Sequence, residues 1–320
     1  MKAIQITETG GPEVLRLTEV DTPRPRNGEV LIRVETVGVN FIDIYQRSGV
    51  YAVPMPFIPG GEGAGTVVEI GDGVAELSVG SRVAWAGVPH SYAEFVVAQE
   101  TSVVAIPDSL STEMAAAAML QGMTAHYLVN STYSVVENEV VVVHAAAGGV
   151  GSLLVQLAAQ KGTTVIATTS TAQKAEIATR LGAQVSTDYS QFDSKARAIG
   201  GAHVVYDGVG QATFEASLKS LRPRGLLALY GSSSGQVPPF DLQRLNPLGS
   251  LFVTRPTLAD YISTREQLLW RSGEILNAIA NSTLSLVIAR QYPLADAGNA
   301  QADLQSRTTT GKLVLTVPNS

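Results

Sequence analysis

The 320-residue chain exceeds the size at which one hydrophobic core usually stops growing, so two domains are expected. Hydrophobic residues make up 45% and charged residues 16%, while a net charge of −6 with scattered lysines and arginines leaves no basic footprint for nucleic acid. No apolar run approaches the ~18 residues that span a bilayer. The opening MKAIQITETGG lacks an apolar leader, so a cytoplasmic protein without membrane contact is expected, and the absence of cysteine removes disulfides, thiolate nucleophiles and sulfur ligands.

From Met1 to about Ile106, short alternating runs follow one another: MKAIQI, VLRLTEV, EVLIRVETVGVN, GAGTVVEIG, SRVAWAG and SYAEFVV. Turn signals at 10–12, 25–28 and 71–73 separate them, which predicts a small barrel or sandwich. The Ala-rich stretch from Ser109 to Thr132 predicts a helix, with Ser111 and Glu113 suiting its N-terminus. Strands and helices then alternate: VVVVHA, a helix over 152–161, TTVIATT, a helix over 172–181, AQVST, AHVVYDG, a helix over 211–221, GLLALYG and SLFVT. Such alternation is the mark of a doubly wound parallel sheet. From about Arg255 a helix over 262–280, a strand near 285–290, a helix over 294–304 and a final KLVLTV read as a tail that folds back onto the N-terminal domain; the alternative is that it covers the sheet. The expected organisation is a β-rich domain of residues 1–122 and 256–320, interrupted by a nucleotide-binding domain of residues 123–255.

Val140 to Gly151, VVVVHAAAGGVG, is the most informative stretch. An apolar strand breaks into glycines and opens a segment with Leu153, Leu154, Leu157 and Ala158 on one helical face, which stops at Gly162. Ala146, Gly148 and Gly151 take the three places of a G-x-G-x-x-G turn. Gly148 would let the backbone approach a pyrophosphate, and Gly151 would let helix and strand pack closely. An ordinary tight turn is the competing reading. The second strand of this domain ends in Thr168, Thr169 and Ser170, with Lys174 beyond and no acid nearer than Glu176. A carboxylate there would bind the ribose hydroxyls of NAD, whereas hydroxyls and an ammonium suit a 2′-phosphate, so NADPH is the expected cofactor.

Several motifs recur in order: GGPEVL at 10–15, VGVNFIDIYQRSGVY at 37–51, AAAGGVG at 145–151, VVYDGVG at 204–210, LYGSSSG at 229–235, LFVTRPTL at 251–258 and TTGKLVL at 309–315. By these the chain resembles the zeta-crystallin type NADPH:quinone oxidoreductases of the medium-chain dehydrogenase/reductase superfamily. The resemblance implies an α/β fold, with a GroES-like β-rich catalytic domain and a Rossmann domain. Zinc alcohol dehydrogenases of the same superfamily hold their catalytic metal with a Cys just before the segment matched by Phe41 and Ile42, with the His of a Gly-His-Glu motif, and with a further Cys. Here Asn40 stands at the first place and Gly61 at the second, and His90, His126, His144 and His203 show no paired ligand spacing. No metal is expected.

The resemblance further implies that Ser170, Lys174, Tyr189 and Arg307 surround the 2′-phosphate and that Gly149 and Val150 lie at the pyrophosphate. Asn40, Phe41, Tyr45, Thr124, Tyr127, Val209, Gly231, Ser232, Ser233, Val253, Thr254 and Arg255 complete the cofactor contacts. Core packing is the competing reading for Tyr127 and Val253. The expected reaction is hydride transfer from NADPH to a quinone, with Asn40, Tyr45 and Tyr51 nearest the acceptor as hydrogen-bond donors. Two alternatives stay open: reduction of the C=C bond of α,β-unsaturated ketones or aldehydes, and a non-catalytic NADPH-binding module with a structural or redox-sensing role. A homodimer joined through SLFVT at 250–254 is expected, because relatives pair this edge.

Overall fold

The computed structural model describes residues 1–318. The chain divides into two compact units, residues 1–123 with the chain from Ile262 onward, and Thr124–Tyr261.

In chain order the first unit begins with β1 (Lys2–Gln5), β2 (Arg16–Glu19), β3 (Glu29–Gly38), α1 (Phe41–Arg47), β4 (Glu62–Ile70), β5 (Arg82–Ala86), β6 (Phe95–Gln99) and β7 (Val104–Ala105). Helix α2 (Thr112–Tyr127) follows and ends in a π-helical turn, Leu128–Thr132. The Met114 amide donates to Ser111 Oγ at 3.2 Å, so the expected start signal is in use. The nucleotide unit then lays down β8 (Val140–Val143), α3 (Gly149–Gln160), β9 (Thr164–Thr168), α4 (Ala172–Arg180), β10 (Val185–Thr187), α5 (Phe192–Ala198), β11 (Ala202–Asp207), α6 (Phe214–Ser220), β12 (Leu221–Leu229), β13 (Phe252–Thr254) and α7 (Leu258–Tyr261). The tail adds α8 (Arg265–Ala280), β14 (Ile288–Pro293), α9 (Ala297–Ser306) and β15 (Lys312–Thr316).

The nucleotide sheet runs β10-β9-β8-β11-β12-β13 with every neighbour parallel. The order reverses between β8 and β11, and ligands of such sheets bind outside the carboxyl ends at that point. Val140, Val142, Ile166, Val205 and Leu227 are buried with Phe192 and Phe214 from the flanking helices. Strands covered on both faces read as unbroken apolar runs, which is why the alternation was so visible in the sequence.

The other unit is built on β3, which pairs antiparallel with β4, β6 and β15. Its Val30, Ile32 and Val34 are buried with Trp85, Tyr92, Leu313 and Leu315. Each such side chain contributes roughly 1.5–3 kcal/mol by leaving water. The tail therefore completes this sheet, with β14 parallel to β15 at the edge.

Differences from the expected elements have physical causes. Helix α3 starts at Gly149 rather than at 152, because the glycines form its first turn instead of preceding it. Helix α6 is shorter than 211–221, since Gly210 at φ +91° keeps the chain in a turn and Leu221 already belongs to β12. Helices α1 and α5 were not anticipated as helices; both are seven residues long and lack a sustained apolar period.

Candidate active site

At the glycine turn, β8 hands the chain to α3 through Ala145, whose φ of +49° is left-handed. A Cβ on Gly151 would lie 2.2 Å from the Ala145 carbonyl oxygen, so only glycine allows the helix to pack here. The first intrahelical bond runs from the Ser152 amide to the Gly148 carbonyl at 2.9 Å. The amides of Gly149, Val150 and Gly151 lie ahead of it, at the positive end of the helix dipole and with no acid in the first turn. Gly148 caps the helix with an extended backbone. This is a cradle for an anion of pyrophosphate type.

Beside it, β9 ends at the buried Thr168, and the exposed Ser170 leads into α4. The Lys174 amide donates to the Thr171 hydroxyl at the N-cap, and burial holds the Lys174 ammonium below its ordinary pKa. Tyr189 is half-buried, and its Oη accepts from the Ala145 amide at 3.2 Å, so this ring is tied to the glycine turn itself. Ser170, Lys174 and Tyr189 all belong to the nucleotide unit; Arg307 belongs to the other, at the left-handed C-cap of α9 with φ +58°. The loops after β11 and β12 are knitted together, because the amides of Ser233 and Ser234 donate to the carbonyls of Gly208 and Val209. Val209, Gly231, Ser232 and Ser233 are thereby brought into one ridge, and a Cβ on Gly231 would sit 2.6 Å from the Gly208 carbonyl. Val253 and Thr254 lie on the edge strand β13, with Arg255 just beyond it. Thr124 is buried, and Tyr127 is buried and stacked on Tyr261 with centroids 4.2 Å apart.

Beneath the turn lies a buried histidine. Asp207 Oδ1 accepts from the Val209 and Gly210 amides at 2.8 and 2.9 Å, and Oδ2 accepts from Thr213 Oγ1 at 2.7 Å and Ser217 Oγ at 3.1 Å. Since Ser217 gives its proton to Asp207, its oxygen accepts from His144 Nε2 at 2.9 Å, and His144 Nδ1 accepts from Thr168 Oγ1 at 2.8 Å. Burial lowers the His144 pKa, opposed by Asp207. Burial thus favours the neutral imidazole in this network.

In the β-rich unit, α1 carries Phe41 and Tyr45, with ring centroids 6.2 Å apart, and Tyr45 meets Tyr51 edge-on at 5.4 Å. The Tyr51 amide donates to the Tyr45 carbonyl at 3.0 Å. Asn40, the N-cap residue, is only 5% exposed. Its Nδ2 donates to the Gly38 carbonyl at 3.2 Å and to Glu62 Oε2 at 2.7 Å, and its Oδ1 accepts from Lys312 Nζ at 2.7 Å. Both amide hydrogens are therefore used internally. Asn40 is thereby tied into the fold, and Tyr45 and Tyr51 are the other two residues expected on the substrate side. Asp43 Oδ2 accepts from the Asn40 amide and from Tyr92 Oη, both at 2.9 Å, while burial pushes the Asp43 pKa up to about 7 and raises that of Tyr92 well above its ordinary value.

Two family models match the chain: the alcohol dehydrogenase GroES-like domain over residues 26–137 and the zinc-binding dehydrogenase over residues 149–268. A quinone oxidoreductase of Pseudomonas aeruginosa is 41% identical, over 98% of this chain and 99% of its own. The chain belongs to the quinone oxidoreductase family. Within the family, the crystal structure of the Escherichia coli quinone oxidoreductase complexed with NADPH superposes with a TM-score of 0.96 at 38% identity, covering 99% of this chain and all of that one. A 2-haloacrylate reductase of Burkholderia is 37% identical over 98% of both chains.

The zinc that one family model carries in its description does not fit these residues. Where ligands would stand, Asn40 is bound to an ammonium and a carboxylate, Gly61 has no side chain, and among the described residues no cluster of three His, Cys, Asp or Glu could hold a metal ion. The nucleotide cradle, by contrast, fits a dinucleotide phosphate.

Sequence reasoning missed Glu62, Lys312, Asp43 and Tyr92. Signals existed: an acid in the Gly-rich GGEGAG and a lysine opening an otherwise apolar strand, both places where a charge is buried only with a partner.

Proposed function

We infer that this protein catalyses the NADPH-dependent reduction of quinones. The observation that carries the reading is full-length likeness to quinone oxidoreductases, one of them solved with NADPH. When bound, NADPH supplies a hydride equivalent from its nicotinamide. The amides of Gly149, Val150 and Gly151 would hold its pyrophosphate, and Ser170, Lys174 and Tyr189 would hold its 2′-phosphate, with Arg307 a further candidate. Phe41, Val209, Gly231 to Ser233 and Val253 to Arg255 are proposed to bound the cofactor elsewhere. The Tyr45 and Tyr51 hydroxyls would orient the acceptor and donate to its oxygens as negative charge develops. A quinone is already electrophilic and reduces to a resonance-stabilised phenolate, so hydrogen-bond donors suffice.

The Burkholderia relative favours a second reading, reduction of an activated C=C bond, which needs the same parts. NADPH oxidation against a panel of quinones, enones and 2-haloacrylates, with product analysis, separates the two. Brisk enone or haloacrylate reduction with no quinone turnover would move the assignment.

A homodimer is part of the reading. Strand β13 is a sheet edge with Phe252 59% and Val253 37% exposed, and pairing would cover it. Light scattering that gives a stable 33.6 kDa particle at micromolar concentration would count against this. NADPH consumption also suits the cytoplasm, where that cofactor is regenerated.

A further inference from the structure

Three strands of chain far apart in sequence meet at one buried ammonium. In the β15–β3 register Val314 lies opposite Gly38 and Leu315 opposite Val37, which carries Lys312 to the level of Asn40. In the β3–β4 register Val37 lies opposite Gly63, which sets Glu62 at the level of Gly38. Gly38 makes the arrangement possible, since a Cβ there would stand 2.0 Å from Glu62 Oε2. Lys312 Nζ then lies 2.6 Å from Glu62 Oε2 and 2.7 Å from Asn40 Oδ1, with both charged side chains fully buried. The other Glu62 oxygen accepts from the Leu120 amide at 2.6 Å.

A buried ion pair is not the cheapest filling for this space. Taking two charges out of water costs several kcal/mol per ion, and apolar residues of similar volume often serve stability as well. Something besides stability is served by keeping a cation here. Its location says what: the ammonium binds the N-cap residue of α1. We propose that the Lys312 ammonium is a positioning residue that fixes Asn40 and Glu62 and so sets how α1 presents Tyr45 and the 45–51 segment to the acceptor. The proposal rests on the reading of Tyr45 and Tyr51 as substrate-side groups. It gives the ammonium no contact with the acceptor and no part in proton transfer.

Replacing Lys312 by alanine leaves a gap shaped for a small alkylammonium, bounded by Glu62 and Asn40. The test uses the full chain carrying Lys312→Ala, with and without n-propylammonium, and with tetramethylammonium at equal ionic strength as a cation that cannot donate. Melting temperature, NADPH affinity by fluorescence and kcat/KM for the acceptor are read together. The variant should lose at least about tenfold in kcat/KM, as misplacement of a substrate-side group does. NADPH affinity should fall by much less than kcat/KM, since the phosphate cradle lies in the other unit and α1 is proposed to border the cofactor only through Phe41. Propylammonium should restore kcat/KM saturably and tetramethylammonium should not. Unchanged kcat/KM in the variant, or an amine that raises the melting temperature without restoring turnover, overturns the proposal. If Lys312→Ala does not fold, Lys312→Arg and Lys312→Met replace it: the arginine should retain kcat/KM and the methionine lose it, and equal values overturn the proposal. The acceptor is whichever the wild type reduces, so failure of the quinone assignment is seen in the wild type and failure of the cation's role in the variants.

Discussion

The two units bury polar clusters at comparable places, where strands end beside a glycine-bearing turn, yet satisfy them differently. In the nucleotide unit Asp207 is held by neutral donors, two amides and two hydroxyls, all within ten residues of it in sequence. In the β-rich unit Glu62 is answered by the Lys312 ammonium, 250 residues away. Hydroxyls can turn to donate or accept, whereas an ammonium can only donate. The first cluster should therefore tolerate a change of partner that the second cannot.

The largest expected effect follows from that contrast. Glu62→Gln turns an amide donor toward the donors of Lys312 and Asn40 and leaves a buried ammonium unpaired, which should cost about 3–5 kcal/mol. Asp207→Asn keeps one oxygen for the Val209 and Gly210 amides, while Thr213 and Ser217 can rotate to accept, so about 1–2 kcal/mol is expected. Denaturant unfolding of both at pH 7 measures the gap; equal costs would dissolve the distinction between the clusters.

Asp43 sharpens it through pH. Burial raises its pKa in the folded chain from 3.8 to about 7, so the folded state holds a proton that the unfolded state has lost. Its contribution is complete below pH 3.8, declines as pH rises, and is gone above about 7. Roughly three units correspond to an upper limit of about 4 kcal/mol. Asp43→Asn removes this slope. The difference between wild-type and variant melting temperatures should shift steadily between pH 4 and 7 and level off above; a flat difference across that range would refute the assignment.

The contrast also explains what could be read from sequence. The doubly wound order was legible because each strand, helix and turn is a local unit with its own apolar pattern, and Gly151 announced a close approach without any distant partner. The start of α3 was misplaced because its cap is a glycine with no side-chain bond to signal it. The Asn40–Glu62–Lys312 cluster was not legible, since it exists only through the registers of β3 with β4 and β15. The identity of Asn40 suggested a donor; the internal partners that those registers bring to it were not visible.

A smaller effect is expected at the phosphate end. Lys174→Ala should weaken NADPH by the ~1.5–3 kcal/mol of one charge-assisted hydrogen bond, roughly tenfold to a hundredfold, and leave NADH nearly unchanged. Fluorescence titration of both cofactors tests it. Equal losses for the two would mean that Lys174 serves the helix rather than the 2′-phosphate.

The smallest effect is expected at Tyr45. Tyr45→Phe keeps the ring and hence the contacts with Phe41 and Tyr51, and it leaves the backbone bond from the Tyr51 amide untouched. Only the hydroxyl is lost. If that hydroxyl assists an acceptor that is already electrophilic, turnover should fall by only about threefold to tenfold, the worth of one neutral hydrogen bond. If it is the obligate proton donor, the loss should reach a hundredfold or more, in the range general acid catalysis contributes. Steady-state kinetics of Tyr45→Phe, Tyr51→Phe and the double variant separate these cases. Two mild single effects that multiply in the double variant fit a pair of hydroxyls sharing the developing charge. A single severe effect would assign the proton to one tyrosine.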